Sequence, residues 1–137
     1  MTITENNIEK ALTYLEKLSE EKQERLIDNL LDEQAYLSTF VQQNLDHIFE
    51  EGSEIIDFTY NLYYTVLYVF KSKLRDRYEI VDKEALAKVL EKQNFEHHQV
   101  ELGDFIFTQY VVQDFSQEDF LKAIGLLNVV ILCLSQK

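Results

Sequence analysis

Apolar residues recur along this chain with the three- and four-residue spacing of α-helices, and strict alternation is rare. Near the N-terminus the apolar positions on one helical face are Ile8, Ala11, Leu12, Leu15 and Leu18. Thr4 is a suitable N-cap for this helix, and Ile3 is placed to pack on Ile8 across the cap. The pattern predicts a first helix over about residues 5–18.

A second helical stripe begins after Ser19 and continues to about Glu50. Its inward positions are Leu26, Ile27, Leu30, Leu31, Gln34, Leu37, Val41, Leu45 and Ile48. About thirty residues is long for one helix of a globular protein. Because Ser38 and Thr39 can hydrogen-bond their own backbone, a break there is an open alternative to a continuous helix. Gly52 is placed to end the segment, since glycine tolerates the left-handed conformation of a helix terminus.

The segment from Glu54 to Arg77 is the most aromatic part of the chain and predicts the central helix of the fold. Apolar side chains cover well over half of its circumference, and a helix of that kind belongs in the middle of a domain. The remaining polar strip contains Asp57, Asn61, Thr65 and Ser72, with Tyr60, Tyr64 and Tyr68 running along it. Its last turns, residues 71–77, are basic and suit the negative end of the helix dipole.

Three further segments complete the pattern. Residues 83–94 predict a helix capped by Asp82, and residues 117–134 predict an apolar helix capped by Ser116. The stretch 104–115 is rich in strand formers, but no other segment alternates well enough to pair with it. We therefore prefer a buried helix from about Asp104 over a strand.

With no proline and three glycines in the chain, the sequence predicts an all-α, single-domain bundle of five or six helices over 1–137, with 54–77 at its centre.

The charge of the chain narrows the classes of partner. A formal net charge of −12 argues against binding nucleic acid or an anionic membrane surface, both of which require cationic residues. The most apolar uncharged stretch, residues 123–134, is too short to span a bilayer. A single cysteine, Cys133, fits a reducing cytoplasm, and its apolar neighbours predict a buried thiol with a raised pKa and little reactivity.

Acidic residues gather in two spans that contain no lysine or arginine. The first, between Arg25 and Lys71, holds Asp28, Asp32, Glu33, Asp46, Glu50, Glu51, Glu54 and Asp57; the second, 93–121, holds Glu96, Glu101, Asp104, Asp114, Glu118 and Asp119. The five acids from Asp46 to Asp57 surround the expected turn at Gly52. They predict an acidic surface that could accept a basic partner protein. The alternative interpretation is that acidity only keeps the protein soluble.

Motifs for catalysis and metal binding are weak. His97, His98 and Glu101 are the candidate metal ligands, because on one helix Glu101 would share a face with either histidine. The stronger His-x-x-x-His and Glu-x-x-His spacings are absent, and a nearby carboxylate is expected by chance among 25 acids, so plain surface histidines are favoured and no metal or cofactor is assigned. No Gly-x-Ser-x-Gly turn or phosphate-binding glycine loop occurs, so no catalytic residue is assigned.

These observations predict a non-enzymatic, cytoplasmic interaction module, such as an adaptor, chaperone-like or inhibitor protein, that binds a basic partner. A homodimer through the apolar helix 120–134 is also open, although the same residues are typical of a core. The alternative function is a small-molecule or metal-binding helical domain. It would use the Tyr60, Tyr64 and Tyr68 row with Asp57 and Asn61, or His97, His98 and Glu101, although such a tyrosine row is more typical of core packing.

Overall fold

The computed structural model describes residues 1–92 and 94–135, which contain helices and no strand. The helices are α1 (Glu5–Lys17), α2 (Glu20–Glu33), α3 (Ala35–Ile48), α4 (Glu54–Leu74), a 3₁₀ turn (Arg75–Arg77), α5 (Lys83–Leu90), α6 (Val100–Val111) and α7 (Gln117–Leu134). The all-α prediction is confirmed. The described residues form seven α-helices rather than five or six, mainly because the long second stripe is divided in two.

The division lies at Gln34 and not near Ser38, which continues the helical path of α3. Gln34 has φ −107° and ψ 45°, and its side chain is fully buried. Its Oε1 accepts a hydrogen bond from the backbone N–H of Val81, and its Nε2 donates to the carbonyl of Glu79, both at 2.9 Å. Residues 79–81 are in neither helix nor strand, so their backbone polar groups need partners from elsewhere. The break therefore serves a tertiary contact.

Helix α3 ends at Ile48 with Phe49 as its C-cap, so Gly52 lies in the following turn and not at the helix terminus as predicted. Its φ of +83° is a conformation in which side chains other than glycine are strained. Ser53 then precedes α4 as its N-cap, but its side chain caps no N–H of the helix. The turn joins α3 and α4 with only five residues between them.

Helix α4 occupies the centre of the fold, as its aromatic sequence predicts. Eleven of its 21 residues are buried, and it packs against α1, α2, α3 and α7. It ends at Leu74, three residues earlier than predicted, because Arg75 adopts φ +53° and the chain turns into the 3₁₀ segment. The buried side chains from Ile3 to Leu134 form one connected core.

The C-terminal half differs from the prediction mainly at helix ends. Helix α5 stops at Leu90 instead of residue 94, and α6 begins at Val100, four residues before Asp104. Helix α7 has the predicted bounds, and nine of its residues, from Ala123 to Leu134, are buried within the chain. A dimer through α7 would thus be limited to its outer N-terminal part, where Leu121 is exposed. In residues 1–92 and 94–135, no helix has both the length and the apolar character needed to cross a membrane.

Candidate functional site

The acidic residues predicted around Gly52 lie together at the start of α4, and all five are exposed. Asp46 comes from the last turn of α3, Glu50 and Glu51 from the connecting turn, and Glu54 and Asp57 from the first turn of α4. The described residues form three ion pairs, Arg25–Glu21, Lys71–Glu33 and Lys122–Glu118. None of these pairs uses an acid of this group, so its charges are not neutralised by a neighbouring lysine or arginine.

Part of the second acidic span joins this surface through contacts between aromatic side chains. The ring of Phe58 on α4 packs against Tyr110 of α6 at 5.1 Å and against Phe115 of the α6–α7 connection at 5.4 Å, measured between ring centroids. These contacts hold the connection beside the first turns of α4. Asp114, Glu118 and Asp119 flank Phe115 in the sequence and therefore come to the same end of α4.

We name this combined surface the acidic pole. Its members are Asp46, Glu50, Glu51, Glu54, Asp57, Asp114, Glu118 and Asp119. Within it, Glu118 pairs with Lys122 at 3.2 Å. That contact is between exposed groups in an i, i+4 arrangement, which offsets little of the negative field. Asp46 accepts a hydrogen bond only from the amide of Gln42 among the described residues, so its charge also remains.

The remaining acids of the two spans lie elsewhere. Asp28 and Asp32 are exposed on α2, as predicted. Glu33 forms an ion pair at 2.6 Å with Lys71, the residue that follows the first span, 38 residues away in sequence. Glu101 and Asp104 line a separate groove between α1 and α6, with Phe105 and Leu12 in its wall. Eight of the 14 acids in the two spans therefore belong to the acidic pole, and the others lie elsewhere in the fold.

The tyrosine row does not surround one cavity. Tyr60, Tyr64 and Tyr68 are each half-buried on α4, while Asp57 and Asn61 are exposed. Tyr60 lines a shallow depression beside α3, whereas Tyr68 lies in a cleft on the α1 side. Burial raises the pKa of all three hydroxyls.

The candidate metal residues are separated by their local structure. Residues 94–99 are not helical, so the shared helix face on which their grouping depended does not exist. The ring of His97 is half-buried and hydrogen-bonded on both sides: Nδ1 accepts the N–H of Gln99 at 3.1 Å, and Nε2 lies 3.2 Å from Asn128 Oδ1. His98 is exposed. In the part of the chain that the structure describes, no three histidine, cysteine or acidic side chains are grouped to hold a metal ion.

Glu101, the third member of that candidate set, instead supports the N-terminus. Its Oε2 accepts a hydrogen bond from the backbone N–H of Glu5 at 3.0 Å. The buried Gln99 assists: its Oε1 accepts from the N–H of Ile3 at 2.7 Å, and its Nε2 donates to the carbonyl of Met1 at 3.2 Å. These long-range contacts satisfy the backbone N–H groups of Ile3 and Glu5 and the carbonyl of Met1, at and before the start of α1. Sequence spacing gave no signal for this role.

A basic cleft between α1 and α4 is a feature that the sequence did not predict. It has a volume of about 700 Å³. Its lining comes from α1, the C-terminal part of α4 and the 3₁₀ turn, and comprises Asn7, Lys10, Ala11, Tyr14, Tyr68, Ser72, Lys73, Leu74, Arg75, Asp76 and Arg77. The basic segment 71–77 was visible in the sequence, but its proximity to Lys10 and Tyr14 was not. We name this feature the α1–α4 cleft.

In comparisons with protein-family models, curated proteins and solved structures, nothing matches this chain. Function is therefore inferred from the residues and their geometry.

Proposed function

We propose that the protein is a non-enzymatic interaction module that binds a basic partner protein through the acidic pole. The observation that carries this proposal is the exposure of Asp46, Glu50, Glu51, Glu54 and Asp57 without a lysine or arginine partner among the described residues. Clustered like charges repel one another and disfavour folding. A complementary basic surface would relieve that repulsion on binding.

The physical range of electrostatics supports a local docking surface. At physiological ionic strength, interactions between exposed charges decay over about 8 Å. Charges within the acidic pole therefore reinforce one another at close range. The basic residues at the other end of α4, a helix of 21 residues, are roughly 30 Å away at 1.5 Å of rise per residue. A basic partner approaching the pole would meet a negative potential that mainly increases its association rate.

The proposal covers an adaptor, a chaperone-like protein or an inhibitor in the cytoplasm, the location favoured by the use of a single cysteine.

Charge reversal tests the proposal. We expect the triple variant Glu50→Lys, Glu51→Lys and Glu54→Lys to lose capture of the partner from lysate of the source cells, while its circular dichroism stays helical. The matched control reverses Glu16, Glu20 and Glu24, which are exposed on α1 and α2 and change the net charge equally. This control should keep binding. Once the partner is identified, its affinity should fall with added salt less steeply for the first variant than for the native protein. Unchanged capture by the first variant would show that the acidic pole is not the site.

A further inference from the structure

The α1–α4 cleft concentrates positive charge in a strongly acidic protein. Lys10, Lys73, Arg75 and Arg77 line it, with Asp76 as the one acidic side chain. These four residues are drawn from 13 lysines and arginines in a chain of net charge −12. The three ion pairs of the described residues involve Arg25, Lys71 and Lys122 instead. The cleft therefore keeps a surplus of unpaired cations.

The partial negative charge at the C-terminal end of α4 is too small to neutralise these cations. A helix C-terminus carries about half a negative charge, which one nearby cation offsets. When the charges of the four cations are added to those of the carboxylate and the helix terminus, the cleft keeps a net charge of roughly two to three positive units. Lys71 also lies in the last turn of α4, and it is already paired with Glu33.

Arg75 is held in an unfavourable backbone conformation within this cleft. Its φ of +53° and ψ of −116° belong to a region that glycine adopts more easily than any residue with a Cβ. It is the only residue other than glycine with a positive φ among the described residues. A glycine would fit the turn better, so an arginine occupies this position at a cost to stability, a situation that is common at binding sites.

The wall of the cleft is aromatic. Tyr14 of α1 stacks on Tyr68 of α4, with ring centroids 5.8 Å apart and planes 14° from parallel. Tyr14 is 51% exposed, so its ring offers an open surface beside the cations. Asn7 also lines the cleft; its Oδ1 is used to cap α1, which leaves its amide N–H groups as possible donors.

We propose that the α1–α4 cleft binds a small molecule that carries phosphate groups and an aromatic ring, the chemical class of mononucleotides. Guanidinium groups match phosphate oxygens in a two-pronged geometry, and lysines add point charges. The tyrosine wall provides a surface on which a planar ring stacks. A volume of about 700 Å³ lies within the range of small-molecule sites.

Isothermal titration calorimetry of the full chain with ADP and, separately, with inorganic pyrophosphate tests this proposal. We expect both probes to bind, ADP more tightly because of its ring, and binding to weaken as salt is raised. Arg75→Gly should weaken ADP binding about tenfold or more, the scale of a lost charge-assisted contact. The same variant should raise the melting temperature, because glycine relieves the positive φ. Arg77→Ala should weaken binding by a similar factor.

A double variant of exposed lysines on α5, Lys83→Ala and Lys88→Ala, is the matched control for loss of cationic charge and should bind ADP normally. Absence of binding by both probes at millimolar concentration would overturn the proposal, as would unchanged affinity in Arg75→Gly combined with Arg77→Ala. Equal affinity for pyrophosphate and ADP would overturn the role of the Tyr14–Tyr68 wall. The triple reversal of Glu50, Glu51 and Glu54 should leave ADP binding intact, which separates this proposal from that of the acidic pole.

Discussion

The hydroxyl of Thr59 on α4 lies 2.6 Å from the hydroxyl of Tyr110 on α6, and both groups are buried. Fifty-one residues separate the two in sequence. The hydrogen bond and the packing of Phe58 on Tyr110 fix the end of α6 against the beginning of α4. These contacts support the position of the α6–α7 connection, which contains Asp114, beside the first turns of α4.

We expect Thr59→Val and Tyr110→Phe each to lower the free energy of unfolding by about 1–3 kcal/mol, because each leaves a buried hydroxyl without its partner. The double variant removes both hydroxyls and should cost less than the sum of the single changes. Urea unfolding of the four proteins measures this. Thr108→Val, at an exposed position on α6, should change stability by less than about 0.5 kcal/mol. Additive costs in the double variant would show that the two hydroxyls are not coupled.

Gln34→Leu should lower the free energy of unfolding by about 1–3 kcal/mol. The change replaces a buried polar side chain with an apolar one of similar size and removes the oxygen that accepts the N–H of Val81. Gln43→Leu, an exposed position on α3, is the matched control and should be close to neutral. Thermal and urea unfolding measure both. A Gln34→Leu variant as stable as the native protein would mean that the division between α2 and α3 does not depend on this contact.

His97 should make the fold sensitive to mild acid. Burial lowers the pKa of His97, opposed by its hydrogen bond to Asn128, and nearby His98 lowers it further. Because the unfolded value is about 6.5, the unfolded chain binds the proton first as the pH falls. The contribution of the neutral His97 ring to the free energy of unfolding is complete above about pH 6.5. It is lost as the pH drops toward the pKa of His97 in the folded protein.

The measurement is the change in melting temperature between about pH 7.5 and pH 5.5, a range that avoids most carboxylate titration. His97→Gln should show a smaller decrease than the native protein. His98→Gln removes only the smallest of these effects on the pKa of His97 and should therefore retain most of the native decrease. Identical profiles for the native protein and His97→Gln would contradict the assigned role of the buried ring.

The thiol of Cys133 is buried, and burial raises its pKa to about 11, with Lys92 opposing the shift. The raised pKa agrees with the sequence prediction. At about pH 8 very little thiolate exists, and the reagent also has no access. We expect a disulfide reagent to modify Cys133 at least about a hundredfold more slowly than the exposed cysteine of Thr13→Cys. The two rates should converge in denaturant. Rapid modification of native Cys133 would indicate that α7 opens readily.

Several elements follow from local sequence alone. The first helix begins at its predicted cap because Thr4 and Asn7 exchange hydrogen bonds within one turn. Helix α7 has its predicted bounds because Ser116 caps it and its apolar residues cover most of its surface. The exposed acids next to Gly52 were also predictable, because charged side chains at helix ends and turns avoid the cost of burial.

Other features depend on residues far apart in the chain. The division at Gln34 requires the connector at Val81, and the start of α6 at Val100 follows the engagement of Gln99 with Met1 and Ile3. Periodicity contains no information about such partners. The predicted second helix was therefore left either continuous or broken near Ser38, four residues beyond the observed division, and α6 was predicted to start at about Asp104.

Periodicity and capping thus sufficed for the all-α class, the central position of α4 and the exposure of the acids around Gly52, because these depend on which faces of a helix can leave water. Three-dimensional packing was needed to divide the second stripe and to separate the metal candidates. It also placed the α6–α7 connection beside the first turns of α4, and brought Lys10 and Tyr14 to the basic end of α4. The reason is that a surface combines side chains from several helices, and only their packing determines which ones become neighbours.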